Sequence, residues 1–168
     1  MMVDAIRLMV FPALMAFAAS SDFLTMTIPN KVSLLLVAGF LALALLTGMS
    51  MSAVCWHLGA GALVLSVAFV FFAFGWIGGG DAKLAAAIAL WFGFDQLVSY
   101  LICASLIGGA LTLIVVGARL MPLPGFLQGR GWAERLYAKT DRIPYGIALA
   151  IGALLVYPDS VWMKAAGG

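Results

Sequence analysis

The sequence predicts an all-α, polytopic membrane protein with about six transmembrane helices in one domain spanning residues 1–168. Three observations carry that expectation. Of the 168 residues, 65% are hydrophobic and only 10% charged, and the mean hydropathy is +1.14, far from the values of a soluble globular domain. The apolar residues fall into runs long enough to cross all or much of a hydrocarbon core about 30 Å thick. Between the runs stand glycine, proline and polar punctuation, and even the longest polar interval, residues 119–142, is too small for an independent core.

The runs justify six helices in order. The first, 5–20, contains Pro12, which removes one helical N–H and is expected to kink it. Its passage into "AFAAS" also suits a secretory signal peptide. Asp4 offsets Arg7 in a weak basic start, and several further membrane segments follow, which argues for a retained helix. The second, 32–50, follows "IPNK", with Pro29 near its first turn, where a missing N–H costs nothing. The third, 54–76, is apolar almost throughout. The fourth and fifth, 82–94 and 97–118, flank the polar pair Asp95–Gln96, and the sixth, 143–157, opens on "IPYG". In the interval before it, Trp132, Leu136 and Tyr137 alternate with basic residues, which predicts a short helix anchored in the membrane interface.

Charge placement predicts orientation, because lysine and arginine are retained on the cytoplasmic side during insertion. The odd-numbered loops hold Lys31, Lys83, Arg119, Arg130, Arg135, Lys139 and Arg142, seven of the nine basic residues; Arg7 and Lys164 fall on the other face. The odd loops are therefore expected to be cytoplasmic and both termini outside. A net charge of +2 on scattered residues gives no nucleic-acid footprint. The two cysteines, Cys55 and Cys103, form no CxxC spacing and read as packing residues, so no metal site is expected.

The same count places two acids on one face. Asp22 lies in the first loop and Asp81 in the third, and the hairpin between them returns the chain to the side it left. Each has an ordinary explanation alone: Asp81, in "IGGGDAKLAAAIAL", suits the capping position of a helix, and Asp22 suits a polar loop. Together they match a different requirement. Two adjacent carboxyl groups do not both ionise easily, so one holds a proton while the other stays a base, and the pair titrates as a unit. Such a dyad can activate water and protonate a carbonyl oxygen. Glycines 78–80, lacking side chains, would let an extended peptide backbone lie beside Asp81. Depth adds a second constraint. The run from Ala82 to Phe94, about 20 Å of helix, falls short of the hydrocarbon core, so either the bilayer thins locally or the "GGGD" stretch lies below the interface, on the wall of a wet cleft; the second is the expectation.

These residues carry a resemblance. "GGGD" at 78–81 satisfies the GxGD pattern of membrane aspartyl peptidases, and "SDFLTMTIPN" resembles the segment around the first catalytic aspartate of prepilin leader peptidases. With "GGGDAK", six spans and the late "IPYG" at 143–146, the chain resembles the short form of that family that serves tight-adherence, or Flp-type, pili. The resemblance implies Asp22 and Asp81 as the catalytic pair, with Gly78, Gly79, Gly80, Lys83, Pro29 and Asn30 in supporting positions. It implies removal of a short basic leader from a prepilin or pseudopilin, typically after a glycine, at the cytoplasmic face of a bacterial inner membrane, without cofactors. Larger members carry two CxxC pairs in a cytoplasmic insertion and methylate the new N-terminus; here the first loop is about a dozen residues, so neither zinc nor methyl transfer is expected. Lys83 could bias the dyad electrostatically or simply snorkel to the interface. Two rivals place the acids differently: a proton- or cation-coupled transporter component would hold them near mid-membrane, and a non-catalytic assembly scaffold would tolerate their loss.

Overall fold

The structure, a computed structural model, describes the backbone of residues 2–138 and 143–164 and the side chains from Arg7 onward. Lys139, Asp141 and Arg142 lie outside the described residues, as does the side chain of Asp4. The described chain is helical throughout: α1 (Met2–Thr25), α2 (Asn30–Leu46), α3 (Met51–Ala73), α4 (Gly79–Arg119), α5 (Gly131–Tyr137), α6 (Tyr145–Val156) and a final turn α7 (Val161–Lys164), with single 3-10 turns at Gly125–Leu127 and Tyr157–Asp159. Four stretches are long and apolar enough to cross a membrane, Arg7–Thr25, Met51–Ala73, Gly79–Arg119 and Tyr145–Lys164, and Asn30–Leu46 is a shorter apolar helix. The protein is an all-helical polytopic membrane protein.

Helix ends follow local chemistry. α2 closes through Gly48 (φ 65°), with Gly48 N–H donating to Leu45 O and Met49 N–H to Ala44 O. α3 closes in the same way through Gly75 (φ 75°), with bonds from Gly75 to Phe72 O and from Trp76 to Phe71 O. Both are Schellman endings, in which a left-handed glycine satisfies carbonyls that the helix leaves free. Between them Ser50 caps α3, its hydroxyl accepting from Ala53 N–H at 3.3 Å. Pro12 sits inside α1, which continues as helix on both sides of it.

α4 is not a single rod. At Gly93 the backbone takes φ 60° and ψ −171°, a conformation essentially reserved for glycine. A straight helix of this length would run about 60 Å, yet Asp81 and Ala85 share a cavity with Gly108 and Thr112. Gly93 therefore turns α4 back on itself, giving two antiparallel arms, 79–92 and 94–119. The sequence placed this break at 95–96, on the polar pair; the chain reverses two residues earlier, where the conformation demands glycine.

The reversal strands carbonyls in the last turn of the first arm, and two aromatic side chains meet them. His57 Nδ1 lies 2.8 Å from Leu90 O, and Trp162 Nε1 donates to Trp91 O at 2.8 Å. His57 is 3% exposed, so its solitary place in an apolar helix is explained by this cap. Around it lies the densest part of the core: Phe11 stacks on Tyr157 at 4.4 Å between centroids and packs on Trp91 at 4.9 Å, while Trp91 Nε1 donates to Leu36 O. This aromatic cluster closes the end of the bundle opposite Asp81.

Candidate active site

Asp22 lies in the last turn of α1 and is 4% exposed. Its immediate surroundings are set by how α1 stops. Met26 adopts φ 54°, uncommon for a residue other than glycine, and its N–H donates to Asp22 O at 2.8 Å. The turn is stitched by hydroxyls: Ser21 Oγ donates to Thr27 O at 2.9 Å and Thr25 Oγ1 to Ser21 O at 2.7 Å. Arg135 from α5 donates to Leu24 O at 2.7 Å, and Trp132 packs on Phe23 at 5.1 Å. The amphipathic segment expected at the interface is thus the helix α5, and it braces the end of α1 with a cation against the free carbonyls.

The Asp22 carboxylate faces the start of α6. Gly146 N–H donates to Oδ2 at 2.7 Å, while the next amide, Ile147 N–H, donates to Pro144 O at 3.3 Å. A side chain at 146 would force its neighbours to move: a Cβ there would lie 2.8 Å from Asp22 Oδ2 and 2.6 Å from Ile28 Cδ1. The glycine of "IPYG" is therefore a contact residue of Asp22, a role that sequence reading left unassigned. Its signal was a glycine directly after the Pro–Tyr start of an otherwise apolar helix.

Asp81 enters from the first turn of α4. The helix begins at Gly79, three residues before its expected start, with Gly78 as the capping residue. Asp81 is thus not the cap but the third helical residue, and its carboxylate reaches back to the Gly78 amide. A carboxylate in this position faces the positive end of the helix, where backbone N–H groups lack helical partners. The irregular stretch expected through the whole of "GGGD" is accordingly confined to the residues before Gly79. A Cβ at 78 would stand 2.7 Å from Asp81 Oδ2, and one at 80 would stand 3.3 Å from Ile28 Cβ. Ile28 is pinched between Gly80 and Gly146, which brings its own segment against both α4 and α6.

The two carboxylates meet in one cavity of about 580 Å³. Asp22, Asp81 and Gly78, Gly79 and Gly80 line it together with Met26, Ile28 and Tyr145. A second, largely apolar cavity of about 700 Å³ adjoins it between the two arms of α4 and α6, sharing Ile77, Asp81 and Tyr145. Tyr145 is held at this junction by its hydroxyl, 3.2 Å from Thr112 Oγ1.

Among the other residues singled out by sequence, Pro29 caps α2 and Asn30 opens it. Lys83 Nζ donates to Asn30 Oδ1 at 3.0 Å, tying the "IPN" segment to the "GGGDAK" segment. Cys55 and Cys103 are free thiols on α3 and the second arm of α4. Among the described residues no three His, Cys, Asp or Glu side chains converge as a metal site would require.

Fold and cavity together define a polytopic helical membrane protein with two carboxylates facing one interior space at the end of its bundle. The model of the type IV leader peptidase family matches residues 9–113, a stretch that includes both carboxylates, and the chain belongs to that family. No curated protein and no solved structure matches it. Gly146 and the rest of α6 lie beyond the matched residues.

Proposed function

We propose that this chain is a GxGD-type aspartyl endopeptidase, with Asp22 and Asp81 as the catalytic pair, that removes the short basic leader of a prepilin of the Flp type at the cytoplasmic face of a bacterial inner membrane. The observation that carries the proposal is the shared cavity: residues from two ends of a helical hairpin present their carboxyl groups to one space, bordered by three glycines.

The chemistry needs no resident cofactor. One carboxylate takes a proton from water as the water oxygen adds to the scissile carbonyl carbon; the protonated partner donates to the carbonyl oxygen. Collapse of the tetrahedral adduct breaks the C–N bond as one carboxyl gives its proton to the departing nitrogen and the other takes the proton of an adduct hydroxyl, which leaves the pair with the single proton it started with. The adjoining cavities suit a substrate that changes character at the cut. The carboxylate-lined space accepts extended, polar chain, and the apolar space along the second arm of α4 accepts a segment that remains in the membrane.

The test is cleavage in membranes containing this protein and a candidate Flp-type prepilin. Asp22→Asn and Asp81→Asn, at wild-type abundance, are each expected to lower the rate at least about 10²-fold, within the range that general acid–base groups contribute. Processing that survives either substitution overturns the proposal in favour of a scaffold.

A further inference from the structure

α2 and α3 are joined by residues 47–50 alone; they touch near that connection, where Phe40 meets His57 at 5.3 Å between ring centroids, but each packs mainly on other helices, α3 on α4 and α2 on α4 and α1. The space left between them is a groove of about 530 Å³. Its floor is the first arm of α4, at Ala86, Ala87 and Leu90, and its walls include Val37 of α2 and Leu65 of α3. Gly61 holds α3 against that floor: a Cβ there would meet Leu90 Cβ at 3.2 Å and the Ala86 carbonyl oxygen at 3.3 Å. The contact fixes one wall while α2 stands away.

The polar lining is confined to one end. Asn30, Ser33 and Lys83 stand near the starts of α2 and α4, on the level of the paired carboxylates. Lys83 is exposed, and its one described hydrogen bond goes to a neutral acceptor, Asn30 Oδ1. An ammonium group has three donors, so two remain, and among the described residues no carboxylate forms a salt bridge with it. The groove thus has an apolar shaft and a cationic mouth.

An apolar gap at membrane depth does not stay empty, because a void forfeits the dispersion contacts of its walls, and walls without polar groups hold no ordered water. A hydrocarbon chain fits the shaft, and a head group with net negative charge fits the mouth. We propose that the α2–α3 groove is a binding site for an anionic phospholipid, with one acyl chain between the helices and the phosphate on Lys83 and Asn30. The site is separate from the paired carboxylates and does not depend on the proposed peptidase activity.

The test uses purified full-length protein in neutral detergent, offered equal amounts of phosphatidylglycerol and phosphatidylcholine with identical acyl chains and read by native mass spectrometry. One lysine near an anionic head group contributes about 1 kcal/mol, so the first bound lipid is expected to be phosphatidylglycerol by about 5-fold. Lys83→Gln is expected to bring the ratio to about 1, whereas Lys31→Gln and Arg130→Gln leave it in place. Ala62→Trp, which fills the groove, is expected to weaken the first binding step for both lipids. As a readout on the wild-type chain, phosphatidylglycerol with a photoreactive acyl chain should label Leu34, Val37 or Leu65. A wild-type ratio of 1, a ratio that survives Lys83→Gln, or labelling spread evenly over lipid-facing helices would each overturn the proposal and leave a non-selective lipid annulus.

Discussion

At the scale of single residues, glycine carries as much of the site as aspartate does. Gly146 brings the backbone of α6 within hydrogen-bonding distance of Asp22, and a methyl group there would have to displace both the carboxylate and the end of Ile28. Gly146→Ala is therefore expected to cut leader removal at least about 10-fold while leaving the amount of protein in the membrane nearly unchanged, checked by a cleavage time course normalised to immunoblot. A misplacement of about 1 Å is enough for such a loss. Lys83 has a structural partner in Asn30 across 53 residues of sequence, so its first consequence is to hold two motif segments together. Neither contact was legible beforehand: the resemblance marked the aspartates, the "GGGD" glycines, Lys83, Pro29 and Asn30 without pairing Lys83 with Asn30, and the glycine of "IPYG" matters because α6 arrives beside α1. Composition and spacing within one helix hold no information about that meeting.

At the scale of elements, the informative feature is the reversal at Gly93. Its conformation is strained for any other residue, and a Cβ would also press on the His57 ring at 3.2 Å. Gly93→Ala is expected to destabilise the protein by about 1–3 kcal/mol, seen as a lower midpoint of thermal unfolding in detergent. His57→Ala leaves Leu90 O without its described side-chain partner and is expected to cost about 1–3 kcal/mol in the same measurement. The crossing of α6 with the second arm of α4 is equally tight: a Cβ at Gly152 would fall 2.8 Å from Ala104 N and 2.9 Å from Ala104 Cα. Gly152→Leu should push α6 outward, carry Gly146 away from Asp22 and lower cleavage, and a second substitution far from the site that restores stability should not restore activity. Helix existence was read well from the apolar runs, with the described starts within about three residues of those expected. The exact turns were not, because Gly93 reverses the chain through backbone conformation while the more polar Asp95 and Gln96 follow it.

At the scale of the whole molecule, the bundle is closed by aromatic packing at one end and opened by two adjoining cavities at the other, so that carboxylates borne by α1 and α4 share one space. The loop charges make a further expectation: a single cysteine placed at Gln128, in a chain lacking Cys55 and Cys103, should react with a membrane-impermeant thiol reagent only after the membrane is opened, whereas one at Gly48 should react without opening it. The reverse pattern would put the site on the outer face. The chain alone determined that this is a helical membrane protein, because apolar run length and charge placement are properties of sequence acting directly on the bilayer. It also delivered both acids to the same side, by counting crossings. Which backbone amide holds Asp22, why a side chain at Gly146 would displace its neighbours, and how α2 and α3 come to leave a groove over α4 were decided only by tertiary structure, since each depends on how helices approach one another and not on the pattern within any one of them.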